Sequence, residues 1–411
     1  MNANPTPVTA SPVLRDAWLD YHQTLEQLRL QVEATPRFQE TPQHRAKAYH
    51  TLMEMQAMAY NFAVAPRMLH PRVFLNSGWQ THMFTLGQNG PDFLYGVLFL
   101  DGRQTYRMRG RMGDITLFLV QVLNGLFGEK DVRAIGNFDF GDFKIEKDGT
   151  FEVMISAEPQ PGNWIKLDGS VGYQFLLIRR ALPQWDGDHG ELTLDRVSEL
   201  AETHYDADEF DEAAMAARIR RAASFVRYLV NDFNINLYDM YFNNAKRQKN
   251  VLTLLPGTVT SQVGSPTSNY AMAVFELKDD EAVLIDLPAV PDAAYWSFQL
   301  GDVWSRSLEY CSRQTSLSDK QVAVDEDGAI RIVVSATDPG VHNWMDTCGR
   351  VEGTIVFRNY RTKNRPVPSS RKVKLGELEA LLPKGTRRVT PAERKRTIES
   401  RRQCMLRTYG E

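Results

Sequence analysis

The chain has 411 residues, of which 43% are hydrophobic and 24% charged, and these ordinary globular values exclude wholesale disorder, a collagen-like repeat and a coiled coil. The length allows two or three domains that each bury a core. No apolar stretch approaches the ~20 residues that a membrane span needs, and the N-terminus lacks the pattern of a secretory signal. Three widely spaced cysteines argue against a disulfide framework, so we predict a cytoplasmic protein.

Charge is distributed unevenly along the chain. The formal net charge is -3, but residues 361–411 carry 15 basic and 5 acidic side chains, a net of +10, which leaves -13 on the first 360 residues. A basic tail suits nucleic acid, an anionic surface or an acidic partner, but base-stacking aromatic residues are not interleaved here. Thr390, Pro391 and Glu393 form the pattern of a capped helix. We therefore predict no nucleic-acid partner and a tail that docks on the chain itself or on another subunit of a homo-oligomer.

Two segments show the apolar periodicity of helices, with hydrophobic side chains every three or four positions. The first is residues 13–62, and the second is residues 192–235, where Ile219, Val226 and Phe233 belong to one apolar stripe. Each segment is long enough for more than one helix. We expect the first segment to form a helical N-terminus and the second a helical insertion between β units.

The segment between these helical patterns has the texture of strands. Asp148-Gly149 predicts a tight hairpin, because Gly tolerates the positive φ of such a turn. Residues 255–269, rich in Gly, Pro, Ser and Thr, predict a connecting loop, and strands resume at Tyr270. The candidate strands before this loop are 93–100, 105–109, 115–123, 142–147, 151–156 and 174–179.

An internal repeat is the most informative feature of the sequence. The run D-G-T-F-E-V-M-I-S-A at 148–157 is echoed by D-G-A-I-R-I-V-V-S-A at 327–336. Each run continues through a Pro-containing loop to an Asn-Trp pair, at 163–164 and 343–344. We interpret this pair as a structural corner in which Trp fills the core and Asn satisfies the backbone of a loop.

The repeat predicts the fold class. Hairpins dominate and no strand–helix–strand alternation appears, so we predict a β-rich α+β fold with two duplicated antiparallel β-sandwich or jelly-roll-like units, a helical N-terminus and a helical insertion between the units. The predicted divisions are 1–66 for the N-terminal helices, 67–190 for the first unit, 191–260 for the insertion and linker, 261–365 for the second unit and 366–411 for the basic tail with a short helix.

Motifs for cofactors and metals are missing from the sequence. No Gly-rich dinucleotide or phosphate loop follows a strand, and no nucleophile elbow is present. His and Cys residues are not paired at zinc-ligand spacing. We therefore predict no organic cofactor and no metal site built from residues that are close in sequence.

Three segments resemble a known bacterial family. Residues 343–358, with N-W-M-D-T-C-G followed by E-G-T and F-R, resemble the signature of domain-of-unknown-function family 1214, and 296–317 resembles its preceding block. Residues 91–164 resemble the companion region of family 1254 type that lies upstream in such proteins. Met345 and Cys348 stand where the signature has Leu and Ala. The resemblance implies β-sandwich, jelly-roll-like architecture and no established reaction.

The second repeat carries polar residues that the first repeat lacks. His342 and Asp346 flank its Asn-Trp pair, and a His can change protonation near neutral pH. We predict a catalytic set in which His342 and Tyr310 transfer protons and Asp346 holds His342 in one tautomer. The alternative is that these residues only support the corner.

Residues for substrate binding are predicted in both units. Arg offers forked donors for carboxylate, sulfate or phosphate. Arg107 and Arg109 alternate on one strand face, although such residues often pair with acids across a sheet, and Arg306 has Glu309 at helical spacing as an alternative partner. The predicted binding residues are Tyr95, Arg107, Arg109, Trp304, Arg306, Arg313 and Gln314.

Two classes of function fit these residues. One is a cofactor-independent enzyme, a lyase, isomerase or hydrolase, that applies acid–base chemistry to a small, largely apolar molecule with a polar or anionic handle. The other is a non-catalytic protein that binds carbohydrate or another ligand, or that serves assembly. Convergence of His342, Asp346, Arg306 and Tyr310 in one closed cleft would favour the enzyme, and scattered side chains would favour binding.

Overall fold

The computed structural model describes residues 9–68, 71, 74–75, 85–197, 211–237, 240, 248–255, 268–364 and 366–409. Its N-terminal helices are α1 (Pro12–Glu33), α2 (Pro36–Glu40) and α3 (Pro42–Ala59), and a π-helical turn, Tyr60–Val64, extends α3. All three helices begin with Pro, which fits a first turn because its missing N–H would have no intrahelical partner. The helical prediction for 13–62 is confirmed.

The first β unit is a sandwich of two sheets. Within the described residues, one sheet has the order β1-β2-β8-β4-β5 and the other β7-β6-β3-β9. All pairings are antiparallel except β6 with β7. The strands are β1 (Phe74–Leu75), β2 (Phe93–Leu100), β3 (Tyr106–Arg111), β4 (Leu117–Leu123), β5 (Ala134–Asp139), β6 (Thr150–Ser156), β7 (Trp164–Lys166), β8 (Gln174–Ala181) and β9 (Glu191–Arg196).

The second unit repeats this topology strand for strand. Its described sheets have the orders β10-β11-β17-β13-β14 and β16-β15-β12-β18, which are the first unit's orders with nine added to each strand number. The predicted β-rich α+β fold with two duplicated sandwiches is therefore confirmed. The strands are β10 (Thr253–Leu254), β11 (Ser268–Glu276), β12 (Glu281–Leu287), β13 (Tyr295–Gly301), β14 (Ser316–Ser318), β15 (Ile330–Ser335), β16 (Trp344–Asp346), β17 (Glu352–Tyr360) and β18 (Ser369–Lys374).

The Asn-Trp corner is built from the same hydrogen bonds in both units. Asn163 donates to two backbone carbonyls and accepts from the N–H of Lys144, and Asn343 does the same with Ala323 in the place of Lys144. The indole of each Trp donates to the serine that ends the preceding strand, Ser156 or Ser335. The corner therefore has a structural role, as the repeat predicts.

Two parts of the secondary structure differ from the prediction. Residues 142–147 form no strand, because Phe140–Asp142 is a 3₁₀ turn and the strand lies earlier, at β5. Residues 191–196, expected to begin the helical insertion, are strand β9, where side chains alternate between half-buried and exposed. The insertion helix is α4 (Glu212–Arg227), which continues as a π-helical segment, Tyr228–Asn236. Most of the predicted linker, 256–267, lies outside the described residues.

The helices cover the outer face of one sheet of the first unit. Side chains from α1, α3 and α4 pack against outward-facing residues of β2, β4 and β8 in one apolar cluster. Phe62 lies at its centre, with its ring 5.6 Å from those of Phe99 and Phe175 and stacked at 5.5 Å on Phe225. The helices therefore close this face of the sheet, as apolar sheet faces require.

The basic tail docks on the protein's own body. Its first residues form β18, which pairs with β12, and the sequence did not predict this strand because Val373 is its one buried residue. A 3₁₀ turn (Leu375–Glu377), α5 (Leu378–Leu381) and α6 (Pro391–Tyr409) follow, so the predicted short helix has 19 residues. Thr390 and Glu393 form the predicted capping box.

This tail makes the two corners unequal in burial. Trp344 is 6% exposed and packs with Val373, Leu378 and Leu382 of the tail, while Trp164 is only half-buried. The guanidinium of Arg394 on α6 also lies 5.1 Å from the centre of the Trp344 ring. The second corner therefore contributes more apolar burial than the first.

We expect Trp344→Ala to lower the free energy of unfolding by about 3–5 kcal/mol, the range of large core truncations. The matched variant Trp164→Ala should lose clearly less unfolding free energy, because the half-buried Trp164 ring makes fewer buried contacts that can be lost. Urea unfolding followed by circular dichroism measures both. Equal losses in the two variants would contradict the burial that we assign to the tail.

Candidate functional site

The two units are joined at the carboxyl group of Asp92, which lies just before β2 and is 2% exposed. The indole of Trp185, in the loop after β8, donates to its Oδ1 at 2.6 Å. The hydroxyl of Tyr295, which begins β13 of the second unit, donates to its Oδ2 at 2.6 Å. A third, longer contact of 3.4 Å comes from the amide of Gln321. One buried carboxyl therefore holds residues of both units.

Helix α6 adds a buried cation to this junction. Arg401 is 7% exposed, and its guanidinium lies 4.1 Å from the centre of the Trp185 ring. It donates to Gln321 Oε1 at 3.1 Å and to Ser316 Oγ at 3.0 Å. Burial lowers the pKa of Arg401 to about 10, and the nearby charge of Asp92 acts in the opposite direction. The tail therefore seals the contact between the units.

A cleft of about 640 Å³ opens beside this junction, within the range of small-molecule sites. Its walls come from the 183–186 loop, from β14 and the turn after it, from His342 and from α6. Trp185, Leu317 and Val322 supply apolar surface, and Arg387 and Arg396 supply exposed charge at the rim. Lys320 is a further cation of the wall, and Asp186 is its exposed acid.

His342 lies in the wall of this cleft, where its surroundings favour the neutral imidazole. Burial lowers its pKa, the hydrogen bond to Gln321 acts in the opposite direction, and the charges of Arg387 and Arg394 lower the pKa further. Its Nε2 lies 3.0 Å from the carbonyl oxygen of Gln321. Because a carbonyl only accepts, Nε2 carries the hydrogen, which leaves Nδ1 of the neutral ring as an acceptor.

The predicted partner of His342 lies elsewhere. Asp346 accepts from Arg313 at 2.7 Å and from the backbone N–H of Cys348 at 2.7 Å, and no contact with the His342 ring is present among the described residues. The tautomer of His342 is therefore set by Gln321 and not by Asp346. Arg313, predicted to bind substrate, is already paired with Asp346.

Gln314 does lie at the cleft, as a support for its wall. Its amide donates to the carbonyl of Trp344 at 2.5 Å, and its oxygen accepts from Arg394 at 2.9 Å. It therefore ties the His342 segment to α6. Its predicted contact with a ligand stays a prediction.

Tyr310, Arg306 and Trp304 do not line the cleft, although Tyr310 packs in one apolar cluster with Trp185 and Cys404 of its wall. Tyr310 is 1% exposed and accepts a hydrogen bond from Asn89, and it borders a separate cavity of about 200 Å³ together with Arg306. Arg306 pairs with Glu54 of α3 at 2.8 Å, rather than with Glu309. Trp304 is buried in the core beneath the guanidinium of Arg37. The predicted proton-transfer pair of His342 and Tyr310 therefore does not share one cavity.

The first unit's candidates separate in the same way. Arg109 pairs with Asp195 across the sheet at 2.6 Å, and Arg107 lies 4.0 Å from Glu152. Both arginines therefore lie beside acids on neighbouring strands, which is the structural alternative to substrate binding. Tyr95 is buried at the junction between the units, with its hydroxyl accepting from the N–H of Gly90. Their predicted contacts with substrate stay predictions.

Sequence reasoning missed most of the cleft. The 183–186 loop carries no local motif, and the capping box at 390–393 predicts a helix without indicating where it packs. The two segments meet only through tertiary packing. The inner face of α6 does show a pattern, because Arg394, Ile398, Arg401 and Met405 recur at three- and four-residue steps and face inward. Arginines on such a face predict buried polar partners, and this signal could have indicated Arg401.

Two absences complete the description of the site. Among the described residues, no group of three His, Cys, Asp or Glu side chains is placed to hold a metal ion. In the same part of the chain, no helix combines the length and the apolar character that crossing a membrane requires.

Known proteins resemble this chain in fold and in one segment. Residues 250–338 match the family "Protein of unknown function (DUF1254)". The crystal structure of an uncharacterised protein from Burkholderia cenocepacia has 27% identity, covers 88% of this chain and 98% of its own, and superposes with a TM-score of 0.79. The VPA0106 protein from Vibrio parahaemolyticus has 12% identity over 79% and 98% of the two chains, with a TM-score of 0.45. No curated protein matches the chain.

The family match lies in a different part of the chain from the predicted one. The family 1254 match lies in the second unit, whereas the motifs assigned that family to the upstream region, 91–164. The resemblance of 343–358 to family 1214 stays a prediction. The Burkholderia structure supports the fold over most of the chain, and its description assigns no activity.

The buried carboxyl predicts how stability depends on pH. Burial raises the pKa of Asp92 to about 6, although the donors Tyr295 and Trp185 favour the carboxylate. An acid with a raised folded pKa stabilises the protein below its unfolded pKa of about 4, and this contribution disappears as the pH rises through about 6.

We expect the difference in unfolding free energy between wild type and Asp92→Asn to move in favour of the variant by about 2 kcal/mol from pH 4 to pH 7, because one pKa unit corresponds to ~1.4 kcal/mol and the unfolded acid is already about half ionised at pH 4. Tyr295→Phe removes a donor to the carboxylate and should raise the pKa of Asp92 further. The loss of stability should then continue to a higher pH than in wild type. Urea unfolding across this pH range measures both. A pH-independent difference between wild type and Asp92→Asn would contradict the raised pKa.

Proposed function

We propose that the cleft between the two units and α6 binds a small, largely apolar organic molecule that carries an anionic group. The observation that carries this proposal is the composition of the wall, in which Trp185, Leu317 and Val322 adjoin the cations of Lys320, Arg387 and Arg396. Such a combination suits an apolar body with an anionic end. The volume of about 640 Å³ accommodates a molecule of drug-like size.

The charges at the rim support an anion rather than a neutral ligand. Arg387 and Arg396 are exposed and form no ion pair among the described residues. Hydrogen bonds lower the pKa of the nearby Glu393 carboxyl, and the charges of both arginines help to lower it further. Lys320 pairs at 3.3 Å with Asp319, which leaves part of its charge balanced. A charge-assisted hydrogen bond from a guanidinium contributes ~1.5–3 kcal/mol when it replaces one to water.

The arrangement supports binding ahead of catalysis. His342, Tyr310, Arg306 and Asp346 do not converge, since the first lines the cleft, the next two border another cavity and the last is paired with Arg313. Acid–base catalysis by two positioned groups requires both within hydrogen-bond reach of the reacting atoms. The cleft offers the binding surface without that pair.

Naphthalene-2-sulfonate is a suitable probe, because it joins an aromatic body to a fixed anionic group. We expect it to bind the wild-type protein in isothermal titration calorimetry, and the double variant Arg387→Gln/Arg396→Gln to weaken binding at least ~10-fold, or ~1.4 kcal/mol. The neutral isostere naphthalene-2-sulfonamide should bind the wild type more weakly than the sulfonate does.

The matched control is Arg388→Gln/Arg402→Gln, which removes the same charge from neighbouring positions outside the cleft. It should bind the sulfonate like wild type at the same ionic strength. If the two double variants bind equally well, or if the sulfonamide binds as tightly as the sulfonate, the cleft is not an anion site.

Acid–base chemistry through His342 is a second candidate for the same cleft. The fixed hydrogen on Nε2 leaves the Nδ1 lone pair of a neutral ring, which is the form that a general base needs at neutral pH. The predicted partners, Tyr310 and Asp346, would not take part. Conversion of a cleft ligand by wild type that is lost in His342→Gln, with binding retained, would favour catalysis over binding alone.

A further inference from the structure

A second polar cluster lies between the units and is repeated by the duplication. In the first unit, Tyr95 of β2 is paired in register with Arg179 of β8, and Arg179 donates to Gln121 of β4 at 3.4 Å. In the second unit, Tyr270 of β11 is paired with Arg358 of β17 in the same way. Arg358 likewise donates to Gln299 of β13. Each unit thus presents a Tyr-Arg-Gln row on equivalent strands.

These rows lie on the sheet faces that point away from the sandwich cores. Their neighbours in sequence, such as Leu94 and Ile178, belong to the first unit's core, and strand residues alternate between faces. The two outer faces meet, because the Phe93 ring of the first unit lies 4.9 Å from Tyr295 and 5.6 Å from Tyr360 of the second.

We name the cluster of Tyr95, Arg179, Tyr270, Arg358 and Tyr360 the arginine junction. The hydroxyls of Tyr270 and Tyr360 are 2.7 Å apart. Both guanidinium groups act on the hydroxyls of Tyr95 and Tyr360, where their charges oppose the rise in pKa that burial causes. The charges of the two arginines therefore act on the same phenols, and the guanidinium of Arg358 lies 6.0 Å from the centre of the Tyr270 ring.

The junction holds two cations without a compensating acid. Arg179 is 8% exposed and Arg358 7%, and neither forms an ion pair with an Asp or Glu among the described residues. Arg358 donates to the backbone carbonyl of Gln88 as well as to the side chain of Gln299. Within the described chain, Arg179 makes one hydrogen bond, the long one to Gln121. Burying an unpaired cation costs several kcal/mol.

An oxyanion would satisfy both groups at once. Guanidinium groups present forked donors that match the oxygens of phosphate, sulfate and carboxylate. Tyrosine hydroxyls can donate to the same oxygens. The residual exposure of both arginines shows that neither side chain is completely sealed from solvent.

We propose that the arginine junction binds an oxyanion, whose charge neutralises Arg179 and Arg358 and whose oxygens accept from their free donors and from the tyrosine hydroxyls. This site is separate from the cleft, because Tyr295 stands between them. Its hydroxyl donates to Asp92 on the cleft side, and its ring lies 5.9 Å from Tyr360 on the junction side.

The test measures the midpoint of thermal unfolding of the full chain in chloride and, at equal ionic strength, in inorganic phosphate, sulfate or acetate. We expect at least one of the three oxyanions to raise the wild-type midpoint, because a ligand that binds only the folded state stabilises it. Arg179→Met should remove this rise. In chloride alone, Arg179→Met should unfold at or above the wild-type midpoint, since an unpaired buried charge is gone.

The cleft variant Arg387→Gln/Arg396→Gln separates this proposal from the proposed function, because it should keep the full oxyanion effect. If Arg179→Met does not fold, Arg179→Lys retains the charge without the fork and should need at least ~10-fold more anion for the same rise. Absence of any oxyanion effect in wild type, or an undiminished effect in both Arg179 variants, would overturn the proposal.

Discussion

The hydrogen bonds that converge on the buried carboxyl of Asp92 fix the position of the two β units relative to each other. Trp185 and Tyr295 donate to its two oxygens from different units, and Arg401 of α6 packs on Trp185 while bonding Gln321. A buried carboxyl without donors would be costly, so these partners must be present together. These hydrogen bonds hold the 183–186 loop, the turn after β14 and α6 near one another. The space that remains between the three segments is the cleft.

Duplication accounts for the scaffold, and asymmetry between the copies accounts for the cleft. The strand orders and the Asn-Trp corners are the same in both units, so they serve folding. The basic tail covers one corner and leaves the other half-buried, which brings α6 to the second unit and makes Arg396 and Arg401 part of the cleft. The arginine junction differs from the cleft, because there both copies contribute equivalent residues.

The sequence predicts the scaffold well because its signals are local. The Asp-Gly turns have Gly149 and Gly328 at φ of +84° and +80°, and the Asn-Trp corners bond chain segments within about twenty positions. The cleft could not be predicted in this way, since Trp185 and Tyr295 lie 93 and 203 positions from Asp92. The first repeat has no counterpart of His342, and this difference marks the residue as a candidate. Its partner could not be predicted from the sequence, because Gln321 contacts the ring through a backbone carbonyl, which every residue has.

Hydrogen–deuterium exchange on Asp92→Ala tests most directly whether this carboxyl holds the units and the tail together. We predict faster exchange in three segments that are distant in sequence, the 183–186 loop, the 316–322 turn and α6, with β6 and β15 in the outer sheets unchanged. Exchange that rises only around residue 92, with α6 as protected as in wild type, would contradict the central role of the Asp92 hydrogen bonds.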